Sequence, residues 1–285
     1  MLRGGLITTA VGLAALACTA FMAPAFAQEP PRRVVSMNVC TDQLAMLVAG
    51  EGQLHSVSFL ASDPGTSVMA AEAGKYAVNH GLAEEVFLMQ PDLVLAGTYT
   101  AQPAVHMLRR LGFRVEQFDP EASFDDIRAN LIRMGDLLGH PERAAKLVED
   151  MNRQLRELEN EKGPRLSVVL YSSNSYTSGM GSLSHAVINA AGLVNLADEL
   201  GVVGYGRLPL EQLVLSEPDL VILGEQRYEH PALAQENFRH PAFTEVANSH
   251  RLVRIPDRYW VCGAPFTVEA VRLIKDAAVK TGSVH

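Results

Sequence analysis

The chain has 285 residues, with 24 Lys and Arg against 32 Asp and Glu for a net charge of −8; 48% of residues are hydrophobic and 20% charged. That composition belongs to a globular protein with room for one large or two medium cores, not to a disordered chain. The acidic balance leaves no basic face for a phosphate backbone, so no nucleic-acid partner is expected, and three Cys without a CxxC pair exclude a zinc ribbon or an iron–sulfur site.

Arg3 precedes an uncharged run, residues 6–23, and Ala25-Phe26-Ala27 forms an A-x-A cleavage site. This reads as a secretory signal peptide over 1–27, cleaved before Gln28. A membrane anchor is the alternative, because the run could just span a bilayer. Cys18 is a poor lipidation site, since its Leu stands one place too late. Secretion would put the remaining chain in an oxidising compartment, the periplasm.

Residues 33–37 form a short buried-type strand, and Thr41 or Asp42 can cap the helix of 43–49, which Gly50 ends. Residues 54–59 are a second strand. A helix over 82–90 is broken by Pro91-Asp92, and 93–96 is a strand. Residues 103–111 are helical up to Gly112, and 113–118 alternate like a strand. Strands separated by helices imply parallel β-α-β crossovers. From 123 to 162 there is no strand signal. Ile127, Leu131, Met134 and Leu138 recur at helical spacing, and the pattern resumes after Pro141 through Leu147, Met151 and Leu158. That is one long helix, or two in series with a kink at Pro141. The alternation restarts with strand 165–171, helices 184–191 and 208–217, strands 219–223 and 251–255, and a last helix near 266–280. The expected organisation is an N-terminal α/β lobe over 28–122, a linking helix over 123–163 and a C-terminal α/β lobe over 164–285.

An internal repeat supports two lobes. Residues 82–97, LAEEVFLMQPDLVLAG, align with 209–224, PLEQLVLSEPDLVILG. In this register Glu84 falls on Glu211, Pro91 on Pro218, Asp92 on Asp219, Leu93 on Leu220, Val94 on Val221 and Gly97 on Gly224.

Open α/β sheets bind ligands beyond the C-terminal ends of their strands, so two facing lobes would line a cleft with their strand exits. Those exits supply Asn38 and Cys40, then Tyr76 and His80 within 75–80, then Tyr99, in the first lobe. The second supplies Ser173, Tyr176, Tyr259, Trp260 and Cys262. Such a mixture suits a bulky small molecule with polar edges. Each aromatic alone could equally be a packing residue; their clustering at strand ends singles them out. Cys40 and Cys262 are expected to be separate thiols, because a bridge across the cleft would lock the lobes against the ligand; the alternatives are a disulfide and simple burial. No catalytic residue is expected. Ser182 and His185 lack a G-x-S-x-G frame, and Gly179-Met180-Gly181-Ser182 lacks the Lys of a P-loop and reads as a turn and cap. The nine His form no H-x-H or H-x-x-x-H pair, so no resident metal site is expected.

The stretch 32–50, RRVVSMNVCTDQLAMLVAG, resembles the start of the class III periplasmic substrate-binding proteins of ABC transporters, which take up iron–siderophore, heme and cobalamin. Their E-x-[VIL]-x-x-[LM]-x-P-D-L-V pattern is matched at 84–94, with a second copy at 211–221, and their lobe-spanning helix is suggested by 137–155. The resemblance covers about 33–280. It implies two Rossmann-like α/β lobes with central parallel sheets joined by a long helix. It implies a monomer without a resident cofactor, holding a metal chelate in its cleft: a ferric siderophore first, cobalamin or heme next. It implies a permease partner onto whose basic residues Glu84 and Glu211 dock. An extracytoplasmic enzyme on a similar two-lobed fold is the alternative from another class.

Overall fold

The computed structural model describes residues 29–224, 233–248 and 252–282. The expected signal peptide, with Cys18 and Ala27, lies outside the described residues, as do His230 and His250.

The first lobe runs β1 (Val34–Ser36), α1 (Val39–Val48), β2 (Leu54–Ser58), α2 (Ala70–Ala73), β3 (Ala77–Asn79), α3 (Ala83–Met89), β4 (Leu93–Gly97), α4 (Gln102–Arg110) and β5 (Val115–Phe118). Its sheet has the order β3-β2-β1-β4-β5, and every pair is parallel. β1 and β4 are apolar runs buried on both faces, as central strands covered by helices must be. The order reverses between β1 and β4, which opens a crevice at their C-terminal ends. Asn38, not Thr41 or Asp42, caps α1: its side chain accepts the Cys40 N–H at 2.9 Å. Thr41 and Asp42 lie inside the helix, both buried.

The stretch expected as one long helix, or two in series, is a helical hairpin of α5 (Phe124–Leu138) and α6 (Pro141–Asn160). Gly139 at φ 76° ends α5 in the left-handed conformation, and Pro141 starts α6 in its first turn. The arms run antiparallel, with Arg128 Nε donating to Asn152 Oδ1 at 2.7 Å. At their base, a Cβ on Gly135 would stand 2.5 Å from that of Ala144, so only glycine permits the approach. α6 is the spanning arm. Arg143 near its start donates to Ala49 O of the first lobe, and Leu158 O near its end accepts from Lys275 of the second. Twenty residues carry it roughly 30 Å.

The second lobe contains β6 (Ser167–Leu170), β7 (Tyr176–Ser178), α7 (Leu183–Ala190), β8 (Val194–Asn195), α8 (Leu196–Glu199), β9 (Tyr205–Arg207), α9 (Leu210–Leu215), β10 (Leu220–Leu223), α10 (Pro241–Asn248), β11 (Leu252–Arg254) and α11 (Thr267–Gly282). Its main sheet is parallel in the order β11-β10-β6-β8. β7 and β9 form a separate antiparallel ribbon that the sequence pattern did not announce. One hydrophobic core runs from Leu44 and Leu95 through Ile127, Leu131 and Met151 to Leu170, Ile188 and Ile274, so both lobes and the hairpin share it.

The sequence repeat is also a structural one. α3 ends on Gln90 at φ 48°, and α9 is followed, one residue past its Ser216 cap, by Glu217 at φ 43°, so both copies place a non-glycine residue in the left-handed region at the same register position. In each lobe the following Asp ties the start of the central strand: Asp92 accepts from Arg32 N and Arg33 N, and Asp219 from Ser167 N.

Candidate functional site

The parallel strands of both lobes point their C-terminal ends at one cleft. Its floor is built where the first sheet reverses. Asn38 leaves β1, and Gly97, Thr98 and Tyr99 leave β4. A Cβ on Gly97 would sit 3.2 Å from Asn38 Nδ2, so glycine lets these two strand exits close up. Residues 118–121 follow β5 along the same edge, and Leu183, Tyr205, Trp260 and Val261 complete the lining from the second lobe. The enclosed space is about 100 Å³ and opens to solvent. Tyr99 is 87% and Tyr205 74% exposed, one on each lobe, whereas Trp260 is buried beneath them.

The expectation of two separate thiols is overturned. Cys40 and Cys262 form a disulfide with a Cα–Cα distance of 5.1 Å, joining the first turn of α1 to the loop before α11. The two segments pack against each other at this point, so the bridge crosses a closed seam and not an open cleft. Two further contacts fasten the same seam. Glu121 Oε2 accepts Gly263 N at 3.1 Å while its Oε1 accepts Asn130 Nδ2 at 2.7 Å. Arg258 reaches Pro64 O at 3.4 Å. A Cβ on Gly263 would stand 2.5 Å from Glu121 Cβ, so the seam is packed as well as bonded. Burial pushes the Glu121 carboxyl above its ordinary range, and the hydrogen bonds from Asn130 and Gly263 pull against that.

Asn38, Cys40, Tyr99 and Trp260 are brought together at the cavity. Cys262 lies behind it through the disulfide, and Tyr259 packs against the core beside it under the Arg258 guanidinium. Tyr76 stands at the N-terminal end of β3, the far edge of a parallel sheet, with its hydroxyl directed to Glu72. His80 leaves the C-terminal end of β3 on the rim. It stacks on Phe59, and Glu85 holds its Nδ1 at 3.0 Å. Ser173 and Tyr176 are not among the residues that line the cavity. The segment 233–239 covers their loop, Asn237 donating to Ser172 O, and Arg207 lies over the Tyr176 ring. Sequence reasoning missed Asp119 and Glu121, although the strand-exit rule applied to β5 would have found them. It missed Tyr205 because the ribbon that presents it has no sequence signal.

No group of three or more His, Cys, Asp or Glu among the described residues is arranged to hold a metal ion. Ser182 Oγ donates to Gly179 O and caps α7, while the His185 ring lies between Asn189 and Asn195. Hydroxyl and imidazole are thus not paired as nucleophile and base. Glu84 and Glu211 are exposed in the first turns of α3 and α9.

The family model for periplasmic binding proteins matches residues 34–259. A cobalamin-binding protein of Halobacterium salinarum is 26% identical over 199 residues, 68% of this chain and 54% of that relative, so the chain spans about half of that relative's length. A vitamin B12-binding protein of Pectobacterium atrosepticum is 24% identical over 73% of this chain and 75% of its own. Among solved structures, a periplasmic heme-binding protein of Pseudomonas aeruginosa is similar with a TM-score of 0.71, at 23% identity, over 88% of this chain and 93% of that one. The periplasmic vitamin B12-binding protein of Vibrio cholerae is similar with a TM-score of 0.66, at 20% identity, over 89% and 98%. These structural likenesses show the α/β fold.

Proposed function

The chain belongs to the periplasmic binding protein family, and on that footing we propose that it is the extracytoplasmic substrate-binding component of an ABC importer whose cargo is a corrinoid. The observation that carries the choice of cargo is the chemistry of the cavity. Its described lining offers Tyr99, Tyr205 and Trp260, the Asn38 amide and the exposed Asp119 carboxylate, with no Lys or Arg; the Glu121 carboxyl at its edge is already engaged by Asn130 and Gly263. Heme with its propionates, or a ferric catecholate, is an anion that such a lining would repel. A corrinoid is rimmed by neutral carboxamides, whose N–H groups suit carboxylate and carbonyl acceptors and whose oxygens suit tyrosine hydroxyls. The enclosed space is far smaller than the roughly 300–1,000 Å³ of an ordinary ligand pocket. The cargo therefore lies across the mouth, between the two exposed tyrosines. The cobalamin-binding names of two relatives support the same reading. Ferric siderophores, the first expectation from sequence, keep a second place as uncharged hydroxamates, which also need no cation from the protein.

Family members are substrate-binding transport proteins and not enzymes, and the proposed role here is stoichiometric capture and delivery. Glu84 and Glu211 are the proposed contacts to basic residues of the permease, one acid from each lobe. The test of cargo is titration with cyanocobalamin, ferrioxamine B, ferric enterobactin and hemin, read by Trp260 fluorescence and by calorimetry. Saturable one-to-one binding of cyanocobalamin is expected. Binding of hemin or ferric enterobactin in its place would overturn the corrinoid reading.

A further inference from the structure

The register that pairs Glu84 with Glu211 also pairs Leu88 with Leu215. Neither leucine serves the core. Leu88 is 79% exposed and Leu215 83%, while the buried positions of the same helices are Ala83 and Val86 in α3 and Leu213 in α9. Two residues on from Val86 or Leu213 is about 200° around the helix, so each leucine points away from the lobe that carries it. Each stands four residues after its exposed acid, and side chains at that spacing neighbour one another, with Cβ atoms about 5–6 Å apart. The two lobes therefore present the same exposed pair, a carboxylate beside an isobutyl group, once each. A single exposed leucine is ordinary. The same one in the same place on both copies of a diverged repeat, beside the same acid, is not explained by packing.

We infer that Leu88 and Leu215 are the apolar half of a two-point docking surface for the transporter's membrane component. This rests on the importer reading above and extends it. Charge and symmetry identify the occupant: a partner offering a basic group beside an apolar hollow, and offering that pair twice to meet both lobes. The carboxylates supply attraction and orientation, and the leucines supply the desolvated contact that slows dissociation.

The test compares four proteins: wild type, Leu88→Gln/Leu215→Gln, Glu84→Arg/Glu211→Arg, and the combination. Each is measured for cyanocobalamin affinity, for binding to the cognate permease–ATPase complex in nanodiscs, for binding to empty phosphatidylethanolamine/phosphatidylglycerol nanodiscs, and for self-association by sedimentation. The leucine pair should weaken transporter binding by about tenfold per leucine, mainly through faster dissociation, with cargo affinity and melting temperature unchanged. Loss of binding in the glutamate variant with none in the leucine variant would overturn this inference and leave the docking acids standing. No loss in either would overturn the docking reading as well. Leucine-dependent binding to empty nanodiscs would assign the surface to lipid, and leucine-dependent self-association would assign it to a second copy of this chain; either result overturns the inference.

Discussion

Removing the Cys40–Cys262 disulfide should destabilise the protein without altering its folded form. The bridge joins positions 222 residues apart, and constraining an unfolded loop that long corresponds to roughly 5 kcal/mol in the chain-entropy relation. The folded side of the balance changes little. The Glu121–Gly263 and Arg258–Pro64 contacts and the shared core hold the lobes in register without the sulfurs. The loss for Cys40→Ser/Cys262→Ser is therefore expected at about 3–5 kcal/mol, a large fraction of the total stability of a typical protein. Urea unfolding followed by circular dichroism should show a lower midpoint for the double variant, and a similar one for wild type unfolded in reductant. The slope with urea should be steeper once the link is gone, because the unfolded chain exposes more surface. The native far-ultraviolet circular dichroism spectrum should be unchanged. Coincident unfolding curves for variant and oxidised wild type would refute the argument, as would two free thiols in denatured, unreduced protein.

Three other expectations come from the same seam and its surroundings. Burial raises the Asp42 carboxyl from 3.8 to about 7, against hydrogen bonds from Ser36 and Ser58. A raised folded-state value contributes stability that is full below the unfolded value and is lost as pH rises through about 7. Asp42→Asn, which keeps the neutral form, should therefore flatten the fall in stability between about pH 4 and 7 and gain on the order of a few kcal/mol at pH 8; an unchanged pH slope in urea titrations would contradict this. Gly263→Ala drives a methyl group into Glu121 and Ile127 and should cost about 1–3 kcal/mol of stability by thermal unfolding, with a wild-type melting temperature as the contrary result. Tyr99→Ala and Tyr205→Ala should each weaken cyanocobalamin binding about tenfold or more in calorimetry while leaving the melting temperature alone, since both rings are exposed; unchanged affinity in both would move the cargo elsewhere.

What the sequence determined by itself was whatever rests on neighbours in the chain. The Pro-Asp junctions ahead of Leu93 and Leu220 mark two buried central strands, because an apolar run after a helix breaker has few other conformations available. Their repetition is the ground on which the sequence is divided into two equivalent lobes. The strand-exit rule then brought Asn38, Cys40, Tyr99 and Trp260 to one cavity without any distance being known. Only the tertiary structure decided what depends on segments far apart. Local pattern could not tell a kinked helix from a hairpin at Gly139 and Pro141, since the apolar spacing of α5 and α6 is the same either way; the tight crossing of Gly135 with Ala144 fixes the turn. Tyr76 and His80 are four residues apart, yet β3 carries one to the far edge of the sheet and the other to the rim. Tyr205 reaches the cavity on a three-residue strand whose partner, β7, is set by pairing and not by its own composition. The disulfide was beyond sequence reasoning for the same reason. Whether two sulfurs 222 positions apart meet depends on how a shared core seats one lobe against the other, and no local preference encodes that.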